Sequence, residues 1–256
     1  LNAQHQQAHP AQKGSLDCYY PFQRISADFI GPLKETTNGN KHLLVVIDHF
    51  TKWTMVFATV DTKASTIARI LYNHVFCVFG TPDEILTDGG PGFIKKEMQL
   101  LYDNLGISEL HSTAYHHQGN GVIERVNRTL GEMITKYVME LDCNWNEVIS
   151  SISLAYNQAT HSSTGYSPYY LIFGRACRTP LELLFQKEEP TDRTTDLESY
   201  IMNMFDSLKK AYTTVRDGNL KRDTKREAKN AELREKYMNK ITFEVDDLVL
   251  WKNEIP

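Results

Sequence analysis

Residues 115–130, reading YHHQGNGVIERVNRTL, constrain the fold more than any other stretch. Gly119 and Gly121 give its front half a permissive backbone, and Asn120 is well suited to cap a helix N-terminus. From there the apolar residues recur at helical spacing. At about 100° per residue, Val122, Ile123, Val126, Leu130, Met133, Ile134, Tyr137 and Leu141 share one arc, which predicts a long helix with one face committed to a core. Glu124, Asn127, Arg128, Gly131 and Thr135 fall on the opposite line. A carboxylate is thereby held on the first turn of a packed helix, directly after a flexible loop. Taken alone, Glu124 reads as part of a solvated helix face. What changes that reading is where the other acids lie.

Such a helix needs an apolar surface, and the first half of the chain supplies strands. ISADFI at 25–30 is predicted as a strand stopped by Gly31 and Pro32, and LLVVID at 43–48 as a fully buried one after a turn at Asn38 and Gly39. With a third strand at 54–58 these form an antiparallel meander. Residues 64–78 have helical spacing, with Gly80 and Pro82 as the stop. A brief strand at 84–87 ends at Asp88 before the loop Gly89, Gly90, Pro91 and Gly92. A helix at 94–104, a strand at 107–111, the helix already described and another at 144–160 follow. The order βββ-α-β-α-β-α-α predicts a mixed sheet with helices on its faces. Residues 192–240 are helical in composition and heavily charged. From Asp217 to Lys240 eight Lys or Arg face five Asp or Glu, which fits a solvated helix or, less directly, a DNA-contacting arm. Residues 243–251 alternate like a strand.

A chain of 256 residues holds one sizeable domain plus extensions. No apolar run approaches the roughly 20 residues that span a bilayer, and no signal peptide opens the sequence. There is no initiator Met, so Leu1 is expected to follow a cut in a longer polypeptide. Cys18, Cys77, Cys143 and Cys177 are scattered without CxxC spacing, which fits a reducing compartment and argues against a structural zinc site. The net charge of −4 offers no general affinity for nucleic acid, so any grip on DNA must be local. Asn127, Arg128 and Thr129 form a glycosylation sequon that a helical position renders a chance match.

Asp28 lies inside the apolar strand at 25–30, where a carboxylate costs desolvation unless it is paired, hydrogen-bonded or bound to a metal. Asp88 ends a strand before a Gly-rich loop, a place where open α/β sheets bind ligands and where Asp also commonly caps a turn. Between Asp88 and Glu124 stand 35 residues. Mg²⁺ prefers oxygen ligands and is held by one or two carboxylates plus water and phosphate. Two such ions about 3.5–4 Å apart can activate an attacking oxygen and stabilise a leaving one. One carboxylate must then bridge both ions while each of the other two serves one.

ISADFIGPL, VVIDHFTKW, LTDGGPGF, YHHQGNGVIERVNRTL and TGYSPYYLIFGR occur in that order. With the D,D(35)E spacing, they resemble the catalytic core of a retroviral or LTR-retrotransposon integrase, most similar to the gypsy-like group. The resemblance implies a ribonuclease-H-like fold: a five-stranded mixed sheet of order 3-2-1-4-5 flanked by helices, with a charged helical C-terminal extension. It divides the chain into a linker (1–20), the catalytic core (21–180), a helical extension (181–242) and the start of an SH3-like domain (243–256). It implies Asp28, Asp88 and Glu124 as catalytic metal ligands for two Mg²⁺ or Mn²⁺ ions, and residues 115–121 as the mobile active-site loop. Asn120, Tyr115, His116, Gln118 and Arg128 are the residues expected to touch DNA. Arg128 is equally placed for an ion pair with Glu124, and His116 also reads as an ordinary surface histidine. Asp48, at the end of a strand, is expected to organise a turn. The implied partners are element ends, target DNA and further copies of the chain, with no membrane. The implied site of action is the nucleus, after a cytoplasmic particle stage.

The sequence departs from the family pattern at Gly90, Pro91 and Gly92, at His117 where Pro is usual, and at Gly131 where a basic residue is common. Those departures motivate a second reading, a host-retained integrase-derived protein that binds DNA or protein without cutting. Ribonuclease H proper shares the implied fold but recruits a fourth carboxylate, for which no candidate stands near the three acids.

Overall fold

The computed structural model describes residues 18–111, 121–141, 143–178 and 197–238. The segment before residue 18 and the strand expected at 243–251 lie outside these. Strands β1 (Arg24–Ile30), β2 (His42–Asp48) and β3 (Thr54–Thr59) form the antiparallel meander, and β4 (Glu84–Thr87) and β5 (Ser108–His111) add in parallel beyond β1. The resulting order, β3-β2-β1-β4-β5, is the one the resemblance implies.

Helices cover both faces, which explains why the β2 run LLVVI lacks polar alternation. Leu44 and Val46 pack on one layer with Ile25 and Ala27 of β1, Ile67 and Leu71 of helix α1, and Met98 and Tyr102 of helix α2. Helix α1 runs Ala64–Ile70, continues as a π-helical stretch over Leu71–Phe76 and ends in Cys77–Phe79; α2 is Lys96–Leu105. Periodicity predicts a plain α-helix at 64–78. The wider π turn instead buries the adjacent pair Val75 and Phe76 together with Leu71.

Leu43, Val45 and Ile47 face the other layer, built from α3 (Gly121–Leu141) and α4 (Trp145–Gln158). The expected apolar arc of α3 packs there through Ile123, Val126, Leu130 and Ile134. The buried line advances in four-residue steps to Val138, which leaves Tyr137 exposed at its edge. Asn157 fastens α4 to the sheet: its Oδ1 accepts from Thr54 N–H at 2.9 Å and its Nδ2 donates to Thr54 O at 2.8 Å.

One short helix was not anticipated, α5 (Pro168–Phe173). Ser167 Oγ caps it by accepting from Tyr170 N–H at 3.2 Å, and Pro168 occupies the first turn. The charged region forms α6 (Leu197–Met238), a single long helix. Ala211 and Val215 anchor it by packing against Phe50, Leu171 and Cys18, and Tyr212 Oη donates to Leu171 O at 2.8 Å. No helix among the described residues is long and apolar enough to cross a membrane.

Candidate active site

Strand register places the first two acids together. β1 and β4 are parallel neighbours with Ser26 opposite Leu86. Asp28 and Asp88 each stand two residues further on, so they emerge at the same end of adjacent strands. Alternation along β1 turns Ile25 and Ala27 toward α1 and α2 and sends Asp28 to the α3 face, opposite Val45. There the amide of Asn127 on α3 donates from Nδ2 to Asp28 Oδ2 at 2.8 Å, while Oδ1 accepts from the Phe29 N–H at 2.7 Å. Glu124 sits one turn before Asn127 on the same helix and is exposed, as is Asp88.

Electrostatics report the convergence. Asp28 is pushed up from the ordinary Asp value to about 6. Burial is the largest cause, opposed by the Phe29 N–H; the Asp88 charge raises it further, the Asn127 bond lowers it, and Glu124 adds a smaller upward push. Two carboxylates thus press on a third that is already short of solvent, an arrangement that a cation relieves. Beside them Asn127 Oδ1 is buried with no hydrogen-bond partner among the described residues, an oxygen acceptor left open next to Asp28. An all-oxygen set of this kind suits a hard divalent ion. The acids converge pairwise on Asp28: no three of the described His, Cys, Asp or Glu residues are grouped to hold one ion. Asp88 also organises its own loop, with Oδ1 accepting from Gly90 N–H at 2.8 Å.

Residues 19–117 match the family described as "Integrase core domain". Over 236 residues, 92% of its length, the chain is 29% identical to the Retrovirus-related Pol polyprotein from transposon 412 of Drosophila melanogaster. Over 167 residues, 65% of its length, it is 32% identical to the Pol polyprotein of Feline endogenous virus ECE1. In fold it is similar to a chain of the simian T-cell lymphotropic virus intasome solved with PP2A regulatory subunit B56 gamma. The TM-score there is 0.55 at 19% identity, covering 68% of this chain and 60% of that one. The chain carries a retroviral/LTR-retrotransposon integrase catalytic core. It spans 19% of the transposon 412 polyprotein and 16% of the feline one.

Within this integrase core, Asp48 does structural work. It is fully buried, and its two oxygens accept from the backbone N–H groups of Phe22, Phe50 and Thr51 at 3.0, 3.2 and 2.9 Å and from Thr51 Oγ1 at 2.6 Å. Burial pushes its carboxyl upward while these four donors pull it back. The departure at Gly92 has a packing reason, since a Cβ there would lie 2.2 Å from Thr62 O and 2.7 Å from Ile67 Cδ1. At Gly90 a Cβ would stand 3.0 Å from Asp88 Oδ1, so a bare backbone lets the loop fold over that carboxylate. Among the described residues no ion pair joins Arg128 to Glu124; Arg128 instead lines a cavity beside α3.

Sequence reading placed Asn127 on the polar line of α3 but gave it no role. Its position one turn after Glu124, on the same line, is the signal that could have found it. The bond to Asp28 also makes the sequon a chance match, because that amide is engaged in the site. Tyr115, His116, His117, Gln118 and Asn120, expected in the active-site loop, lie outside the described residues.

Proposed function

We propose that this integrase core performs divalent-metal phosphodiester chemistry on DNA, trimming element 3′ ends and joining them to target DNA. The observation that supports it is the convergence on Asp28: the parallel register brings Asp88 to the same sheet end, and α3 brings Glu124 and Asn127 to the same carboxylate. Asp28, Asp88 and Glu124 are the residues that would hold such ions, with Asp28 the carboxylate both of the others act on. Mg²⁺ or Mn²⁺ bound there would supply Lewis-acid stabilisation of the attacking and leaving oxygens. The chain itself contributes positioning. Asn127 fixes one oxygen of Asp28, Gly90 N–H fixes one of Asp88, and α3, packed on β2, holds Glu124 at a constant height above the sheet. Arg128 is assigned to a phosphate, and Tyr115, His116, Gln118 and Asn120 to the DNA end. Element ends, target DNA and other copies of the chain are the partners, and the nucleus is the site of action.

The second reading, a non-catalytic descendant, loses its motive at Gly92, where close packing rather than a ruined site demands glycine. The test is 3′ processing and strand transfer by the full polypeptide with Asp28→Asn, Asp88→Asn or Glu124→Gln. Each variant is expected to stay folded and lose both activities. A variant that keeps either activity in Mg²⁺ overturns the role given to that residue.

A further inference from the structure

A cavity of about 840 Å³ lies between the first two turns of α3, the β2–β3 turn, the loop after α4 and the helix α6. Its lining reverses the character of the chain. Lys52, Arg125, Arg128, Arg222 and Arg226 face it, and the one carboxylate among its lining residues, Asp223, is ion-paired to Arg226 at 3.1 Å. The whole chain, by contrast, carries a net charge of −4.

Lys52 and Arg222 are held by hydrogen bonds to uncharged acceptors, while Asp48 and Asp223 compensate part of their charge. Lys52 is 8% exposed and its backbone has a φ of 67°, so the turn itself puts the side chain there. Its ammonium donates to His49 O at 2.6 Å, which uses one of three donors. Arg222 donates from Nη1 to Ser163 O at 2.6 Å and from Nη2 to Asn219 Oδ1, both uncharged acceptors. His161 accepts from Ser163 N–H at Nδ1, 3.2 Å, which leaves its Nε2–H as a neutral donor. The cations also oppose one another. Burial above all, opposed by Cys18 and Asp48 and aided by Arg222 and Arg125, brings Lys52 down to about 8. Burial, then Lys52, Arg125 and Arg222, pull His161 down to about 4.

From the cavity and its excess of guanidinium and ammonium groups over carboxylate, we propose a binding site for a ligand bearing two or more phosphates. Guanidinium forks match phosphate oxygens, and the space fits a nucleotide-sized group better than a lone phosphate. The phosphates belong either to a nucleic-acid backbone or to a free polyphosphorylated molecule. Because Arg125 stands on α3 and Arg222 on α6, the bound anion clamps the C-terminal helix to the core. The site needs neither the three acids nor a metal, although it shares Arg128 with the function proposed above, and a metal-free test separates its failure from the failure of that reading.

The test is calorimetric titration of the full chain in EDTA at fixed ionic strength, first with inorganic tripolyphosphate and then with a short single-stranded oligothymidylate. Tripolyphosphate is expected to bind, and Arg222→Gln and Arg125→Gln, both at exposed positions, are each expected to weaken it at least about tenfold while leaving the melting temperature unchanged. If tripolyphosphate competes with the oligonucleotide, the site takes a nucleic-acid backbone. If the oligonucleotide is indifferent to both the competitor and the variants, the site takes a free polyphosphate. Absence of tripolyphosphate binding, or equal affinity in the Arg125→Gln/Arg222→Gln double variant, overturns the proposal.

Discussion

Replacing Asp48 by alanine tests whether this motif acid is structural, as its surroundings indicate. The side chain is fully buried and receives three backbone N–H groups and the Thr51 hydroxyl. Asp48→Ala strands the three N–H donors in the interior, each worth about 1–3 kcal/mol when left without an acceptor. The variant is also relieved of a buried charge, which offsets part of that loss. The net destabilisation should be about 3 kcal/mol, corresponding to a fall in Tm of roughly 6–12 °C for a chain of this size. Urea unfolding followed by circular dichroism measures it, with an unchanged m-value as the sign that only stability moved. Thr51→Val removes the 2.6 Å hydroxyl bond alone and should cost about 1 kcal/mol. In the double variant the two losses should fall short of additive, because they share that bond. An Asp48→Ala chain within about 0.5 kcal/mol of wild type would refute the turn-organising role.

Gly92→Ala places a methyl group 2.2 Å from Thr62 O and should destabilise the fold by about 1–3 kcal/mol, read as a lowered urea midpoint. Asn157→Leu strands Thr54 N–H in a buried setting and leaves Thr54 O only the Ser153 hydroxyl, so it should cost about 1–3 kcal/mol; a smaller loss would mean that α4 is not fastened there. His161 has a folded value of about 4, below its ordinary 6.5, so the stability it contributes is full above pH 6.5 and lost as the pH falls through 4. His161→Gln should therefore lose less stability than wild type between about pH 7 and pH 5 in paired urea titrations. Equal losses would place the titrating group elsewhere.

The elements legible in the sequence are those whose burial imposes a period. LLVVI in β2 reads as a strand because both of its faces are covered, and α3 reads as a helix because Val126, Leu130 and Ile134 pack on one layer. Asp28 was legible for the same reason, as a carboxylate that interrupts an apolar run. Features created by tertiary contact were not. The π turn in α1 answers to neighbours of Val75 and Phe76, and α5, at six residues, is too short to set a period of its own. Gly92 looked like an irregularity until Thr62 O was found against it. The basic cavity was hidden by averaging. Arg222 and Arg226 sit in a stretch of mixed sign, and only the packing of α6 brings them beside Lys52 and Arg125.

The central claim is that Asp28 anchors a divalent-metal site shared with Asp88 and Glu124. Titrating Mn²⁺ into the wild-type chain and into Asp28→Asn by calorimetry tests it without relying on DNA or turnover. The account predicts binding in the millimolar range or tighter for wild type, and its loss in the variant. Identical isotherms for the two chains, or no binding to wild type in that range, would contradict it.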